Sequence, residues 1–311
     1  MIRSIFVPLD GFQFSEHAIP FASTIARRAG GKLHLARVHN NPLSLPYEAG
    51  SGFVDEIDLV YKRRENSYLA DVVRRMGGGP SLPVTTELLN GATAAALNAR
   101  AADFDLVVMT THGRGPLGRL WLGSVADELI RVLPVPLLLL RPNEGPPDFR
   151  HEPVCKQIVL ALDGTPMAEQ ILEPALEVGA LLGSSFRLVR VVKPMLAGDY
   201  IHAGDSSQLM SESMCIRLEE MQRQVETEAR SYLDSVASRF AKRGISVETR
   251  VLVDDQAAAG ILGQSDANMI ALATHGRHGL RRVLLGSVAD KLVRGCSLPL
   301  LLLRPRLADN S

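Results

Sequence analysis

Two stretches of the sequence bring glycine, serine, histidine and arginine together in an order that suits an anion. The first runs Thr110-Thr111-His112-Gly113 and, after nine intervening residues that begin with Arg114, Gly123-Ser124-Val125. The second runs Ala273-Thr274-His275-Gly276 and, after the same interval beginning with Arg277, Gly286-Ser287-Val288. Glycine lets a turn take positive φ and lets a ligand approach the backbone with no Cβ in the way. After Gly123, the spacing of Val125, Leu129, Ile130 and Val132 predicts a helix. Its free N-terminal amides and dipole favour phosphate, and the serine hydroxyl adds a donor. The chemistry expected is a phosphate cradle. Taken alone, Ser124-x-x-Asp127 and Ser287-x-x-Asp290 also fit a capping box that does no more than start a helix.

Asp10 and Asp163 each end an apolar strand pattern. A carboxylate there can accept from an amino group or a ribose hydroxyl, or close an Asx-turn on its own backbone. Arg114, Arg119, Arg277, Arg281 and Arg282 lie between the paired glycines, where a guanidinium either meets phosphate or stays solvated. His112 and His275 invite a general-base reading because an unperturbed imidazole titrates near neutrality, yet no acid or nucleophile stands at a telling spacing, and a turn-stabilising role is the expectation. The chain has no GxxxxGK[ST] segment, no Ser-His-Asp order and no carboxylate pair with an evident magnesium role. It is expected not to be an enzyme, with at most slow, incidental ATP hydrolysis.

The elements that must hold these residues occur twice. Residues 110–142 align with 273–305 without a gap at an offset of 163, down to Leu122-Gly123-Ser124-Val125-Ala126-Asp127 against Leu285-Gly286-Ser287-Val288-Ala289-Asp290. Ile5-Phe6-Val7-Pro8-Leu9-Asp10-Gly11 parallels Ile158-Val159-Leu160-Ala161-Leu162-Asp163-Gly164 at an offset of 153. Residues 143–150 read as a linker, which gives domains over 1–144 and 154–307. Strand patterns fall at Ser4–Leu9, Lys32–His39, Val84–Leu89, Leu106–Thr110 and Pro136–Leu140. In the second copy they fall at Gln157–Leu162, Phe186–Val192, Ser246–Val253, Met269–Ala273 and Leu298–Leu303. Nearly continuous Val, Ile and Leu suits strands covered on both faces. Between them a helix is expected over Gln208–Arg243, with Leu218, Met221, Val225, Ala229, Tyr232, Val236 and Phe240 on one stripe and Gly244 as its stop. The fold class is α/β, two tandem doubly wound domains, each with a five-stranded parallel sheet. Such sheets bind ligands beyond the carboxyl ends of their strands.

Lys plus Arg equals Asp plus Glu at 34 each, so the chain lacks the basic excess of a duplex nucleic-acid binder and no nucleic-acid partner is expected. Cys155, Cys215 and Cys296 stand too far apart for a metal motif or a disulfide framework. Apolar runs are strand-sized, and the N-terminus has no signal-peptide pattern. No membrane partner is expected, and the expected compartment is the cytoplasm.

The complete string is similar to the universal stress protein pattern G-x2-G-x9-G-[S/T], as are the opening Val7-Pro8-Leu9-Asp10-Gly11 with Ser15-Glu16 and the closing Pro136 to Pro142. The resemblance covers nearly all of both halves. It implies an adenine nucleotide alpha hydrolase-like fold and binding of ATP or a related adenine nucleotide, with Mg2+ as a candidate counter-ion, in a nucleotide-responsive regulator of stress response. The site it implies is Pro8, Leu9, Asp10, Val38, Thr110, His112, Gly113, Gly123, Ser124 and Val125 in the first copy. In the second it is Ala161, Leu162, Asp163, Val191, Ala273, His275, Gly276, Gly286, Ser287 and Val288. One departure stands out: the family's first glycine is Thr110 here and Ala273 in the second copy. If that backbone needs positive φ, binding weakens; if its amide only donates to ribose, the change is tolerated. An interaction scaffold with one or both sites decayed is the alternative, supported also by Asp254 where the first copy has Gly91. Members of the family pair their last strands edge to edge, which implies that Val135–Leu140 and Leu298–Leu303 pair antiparallel within this chain as an internal pseudo-dimer, with further self-association open.

Overall fold

Each run of branched aliphatics forms a strand, and the amphipathic stretches between them form the crossover helices. The computed structural model describes residues 1–40, 51–77, 82–111, 122–142, 145–195, 212–264, 266–274 and 285–306. In the first half the elements are β1 (Ser4–Pro8), α1 (Gln13–Glu16), α2 (Ala18–Arg28), β2 (Lys32–His39), α3 (Ser51–Arg75), β3 (Val84–Asn90), α4 (Thr93–Ala101), β4 (Leu106–Thr110), α5 (Ser124–Val132) and β5 (Leu137–Leu140). In the second half they are β6 (Gln157–Ala161), α6 (Pro166–Glu169), α7 (Leu172–Leu182), β7 (Ser185–Val192), α8 (Glu212–Ala241), β8 (Val247–Val253), α9 (Ala257–Leu262), β9 (Met269–Ala273), α10 (Ser287–Gly295) and β10 (Leu300–Leu303). The long helix α8 ends at Ala241, and Gly244 in the turn beyond it takes φ 73°. Its C-terminal stripe Ala229, Val236 and Phe240 is buried, whereas Met221 on the same expected stripe is exposed.

The strands form one ten-stranded sheet in the order β3-β2-β1-β4-β5-β10-β9-β6-β7-β8. Pairing is parallel within each half. At the centre β5 and β10 pair antiparallel, with Leu300 opposite Leu139, Leu301 opposite Leu138 and Leu302 opposite Leu137. The expected internal pseudo-dimer is therefore present. Because all strands of one half run against those of the other, their carboxyl ends lie at opposite edges of the sheet.

Alternation along a strand sends Leu138, Leu140 and Leu301 into a core with α2 and α7, and Leu137, Leu139, Leu300 and Leu302 into a core with α5 and α10. Both cores thus cross the seam. Each buried leucine side chain contributes about 1.5–3 kcal/mol.

Arginines lock the seam reciprocally. Arg141, just past β5, donates to Val293 O at 2.6 Å and Cys296 O at 3.0 Å, filling the carbonyl end of α10. Its counterpart Arg304, just past β10, donates to Val132 O at 3.5 Å, at the end of α5. A cation at a helix C-terminus also meets the negative end of the dipole. Since hydrogen bonds to a charged group contribute about 1.5–3 kcal/mol, Arg141→Met should lower the unfolding free energy by about that amount in urea titrations. An unchanged midpoint would contradict the clamp.

His34 lies in the core of the first half, stacked on Phe6 and Phe104 with ring centroids at 5.9 and 5.1 Å. Its Nδ1 is 2.7 Å from Thr85 Oγ1 and its Nε2 2.9 Å from Glu87 Oε2, an arrangement a neutral ring satisfies by accepting at the first and donating at the second. Burial pushes its pKa below the ordinary value near 6.5, the Glu87 hydrogen bond opposing. The unfolded chain then binds the proton first, so stability is full above 6.5 and is lost as pH falls from there to the depressed folded value. The second half has Arg187 at this position, paired with Asp266, whose carboxyl it holds down at about 2. The thermal midpoint should fall between about pH 7.5 and about pH 5.5, and less steeply in His34→Gln. Superimposable pH profiles of the two proteins would rule out His34 as the source.

Candidate functional site

Chain direction in the first half runs β1, β2, β3 to one side and then β4, β5 to the other, which leaves a switch point between β1 and β4. There the two strand ends splay, and a cavity of about 560 Å³ opens. Pro8, Leu9, Asp10, Val38, Thr110, Gly123, Ser124 and Val125 all line it. Of the site residues expected in this half, only His112 and Gly113 are left, and they lie outside the described residues, as do Arg114 and Arg119.

Asp10 turns the chain at the end of β1. Its Oδ1 accepts from Phe12 N at 2.9 Å, and Gly11 follows at φ 90°. Asp163 does the same with Thr165 N at 2.9 Å, before Gly164 at φ 91°. In the first half the residue that closes the Asx-turn is thus also a residue of the cavity wall.

The glycine of the Gly-Ser pair works differently from the expectation. Gly123 N–H is not open to a ligand; it donates to Thr111 O at 3.0 Å, and Gly286 N–H donates to Thr274 O at 2.8 Å. A Cβ at position 123 would stand 3.0 Å from Thr111 O, a close approach that a side chain would crowd. The capping-box reading also fails, because Gly123 and Gly286 are the N-caps and neither helix has a side-chain cap. Ser124 and Ser287 are instead the first helical residues. The amides of Ser124 and Val125 belong to the first turn, which has no intrahelical acceptor, and both residues line the cavity.

Thr110 and Ala273 are the last residues of β4 and β9, and no described non-glycine residue has positive φ. The backbone at the family's missing glycine is ordinary strand, so the substitution carries no conformational cost.

Sequence reasoning missed the wall formed by β2 and α3. Arg37 lies 5.5 Å over the Tyr68 ring, and Arg190 lies 5.2 Å over Tyr232 in the second half. Below each pair a buried or half-buried glutamate binds an arginine of the long helix, Glu16 with Arg75 and Glu169 with Arg239. Around Arg37 the first half adds a chain of charges. Glu65 Oε1 is 3.4 Å from Arg37, Glu65 Oε2 is 2.7 Å from His39 Nδ1, and His39 Nε2 is 2.7 Å from Asp58. Lys62, and then His39, hold the Asp58 carboxyl below its usual range. Glu65 and His39 are buried, and Tyr61 and Glu65 both line the cavity. In the second half the positions of His39 and Glu65 are the buried Val192 and Ala229.

The second half repeats the framework. Ala161 ends β6 and Leu162 N donates to Val189 O at 2.9 Å, Val191 lies in β7, and Gly286, Ser287 and Val288 open α10 beside β9. His275, Gly276, Arg277, Arg281 and Arg282 lie outside the described residues.

The model of the universal stress protein family matches residues 1–141 and again 155–304. The chain belongs to the universal stress protein family. A universal stress protein of Mycobacterium tuberculosis is 26% identical over 231 residues, covering 74% of this chain and 72% of the relative. One of Synechocystis is 22% identical over 329 residues, 97% of this chain and 100% of the relative. In fold, the crystal structure of a universal stress protein from Archaeoglobus fulgidus aligns with a TM-score of 0.65 at 15% identity, over 97% of this chain and 98% of that one. Tandem universal stress protein domains are thereby established for this chain, and the fold similarity extends over both.

The strand-end turn carries a direct test. A non-glycine residue at φ near 90° costs about 1–2 kcal/mol, and a Cβ on Gly11 would also stand 2.0 Å from Arg37 Nη1, against 3.0 Å from Arg190 Cζ for Gly164. Gly11→Ala should therefore lose more stability in urea than Gly164→Ala, because Arg37 must leave its place beside Glu65. Equal losses would show that the arginine yields freely.

Proposed function

We propose that the chain is a nucleotide-responsive regulatory protein of stress response whose first repeat binds ATP or a related adenine nucleotide, with Mg2+ as the counter-ion of the phosphates. The observation that carries this reading is one cavity that joins three chemistries. Asp10 supplies an acceptor for ribose hydroxyls. Val38, Leu97 and Met109 supply an apolar slot for a base, and the first turn of α5 supplies unpaired amides for phosphate. A volume of about 560 Å³ falls in the range of small-molecule sites. The second repeat holds the same carboxylate turn and the same uncapped helix start.

Binding rather than turnover is the proposed role. Asp10 is tied to its own turn, Glu65 is compensated by His39 and Arg37, and none of these is placed as a free general base. A cytoplasmic location is part of the same proposal. Among the described residues no helix is long and apolar enough to cross a membrane.

Calorimetric titration with ATP and Mg2+ tests the reading. Saturable binding to the full chain is expected, weakened at least about tenfold by Asp10→Ala, as loss of charge-assisted hydrogen bonds requires. Absence of heat at millimolar ATP, or an unaltered Asp10→Ala titration, would count against it and favour the scaffold alternative.

A further inference from the structure

The two repeats diverge at the place where a base would lie. In the first, the slot beside Val38 is closed by Leu97 of α4 and by the neutral pair Asn40 and Thr93, whose side chains bond at 3.1 Å. Gly91, at the end of β3, has φ 112° and no side chain to offer. The strand registers, Val38 opposite Leu89 and Val191 opposite Leu252, put Asp254 at the position of Gly91 and Lys193 at that of Asn40. The same offset puts Gly260 at the position of Leu97.

These exchanges are coupled. A Cβ at position 260 would stand 3.3 Å from Asp254 Cβ, 3.5 Å from its Oδ2 and 3.5 Å from Val191 Cγ1. A leucine there would collide with the aspartate, so glycine makes room for the carboxylate beside Val191. The carboxylate is also held in place, since Gln256 N donates to Oδ1 at 2.8 Å. Its Oδ2 has no partner among the described residues. Lys193, on the neighbouring strand end, is exposed and likewise has none. The contrast with Glu65 in the first repeat is sharp, because both oxygens of Glu65 are already engaged.

A carboxylate only accepts hydrogen bonds, and an ammonium only donates. Adenine presents its N1 lone pair next to its 6-amino group, and a carboxylate facing that edge meets one donor and one repelling acceptor. Guanine presents N1–H and a 2-amino group side by side, with the 6-oxo group next to them. Resting on the nucleotide reading above, we propose that the second repeat takes a guanine nucleotide, with Asp254 as the specificity-determining residue for N1–H and the 2-amino group and Lys193 beside the 6-oxo group. The chain then carries two different purine sites at opposite edges of one sheet.

Calorimetry on the full chain with ATP, GTP and XTP tests this in wild type and Asp254→Asn. Asparagine keeps the Oδ1 acceptor for Gln256 N–H but turns the free arm into a donor. Xanthine has a carbonyl where guanine has its 2-amino group. Expected are one ATP site and one GTP site in wild type. Asp254→Asn should lose at least about tenfold in GTP affinity, gain XTP binding and keep the ATP site unchanged, which also reports an intact fold. Unaltered GTP binding in Asp254→Asn, or two ATP sites and no GTP site in wild type, would overturn the assignment while leaving nucleotide binding in place. If no nucleotide binds, the underlying reading and this one fail together.

Discussion

Two strands of four leucines meet at the middle of the sheet, and neither tolerates exposure of its edge. An unpaired apolar edge offers free N–H and C=O groups and a sticky face to any other chain. Pairing β5 with β10 satisfies both within one molecule. It also sets the rest of the architecture. Because the join is antiparallel, the two parallel halves run in opposite directions. Their carboxyl ends are separated by the length of the strands, and the cores on both faces become common to both halves. The reciprocal arginines then let each half finish a helix of the other, so that neither copy is complete in the absence of its neighbour.

The site follows from the same topology. Parallel strands that reverse their order must part at the switch point, and the first residues after β1 fill one side of that gap. A glutamate–arginine pair and an arginine-over-tyrosine stack fasten the long helix across the outer side in both halves. This fastening is duplicated, while the wall it supports is not. Where the first half buries paired charges at Glu65 and His39, the second buries Ala229 and Val192. Both solutions obey one constraint: ions kept from water must be paired, or be replaced by apolar groups of fitting size. A duplicated scaffold can therefore change the wall of one copy and keep the same fold.

Strands, repeat and seam were legible because each leaves a periodic or self-similar trace, such as Leu137–Leu140 against Leu300–Leu303. The Gly-Ser motif was legible in place but not in mechanism. Spacing marked Gly123 as close to a ligand, whereas its amide is spent on Thr111 and its missing Cβ serves the same contact. Thr110 raised a concern about backbone conformation that its strand geometry removes, since sequence shows a residue type and not a φ angle. Arg37 could have been found, because Arg190 repeats it at the offset of the first strands. Tyr61 and Glu65 could not. They enter the cavity from a helix far along the chain and have no like residue in the second half, so neither periodicity nor repetition marks them.

The central claim is that the gap between β1 and β4 is a nucleotide site built from a strand-end carboxylate and an uncapped helix start. A crystal structure of the full chain grown with a non-hydrolysable ATP analogue and Mg2+ addresses it most directly. The account predicts density with the base against Val38, the ribose at Asp10 and phosphate oxygens at the amides of Ser124 and Val125. Analogue bound elsewhere on the chain, with this gap closed by its own side chains, would contradict it.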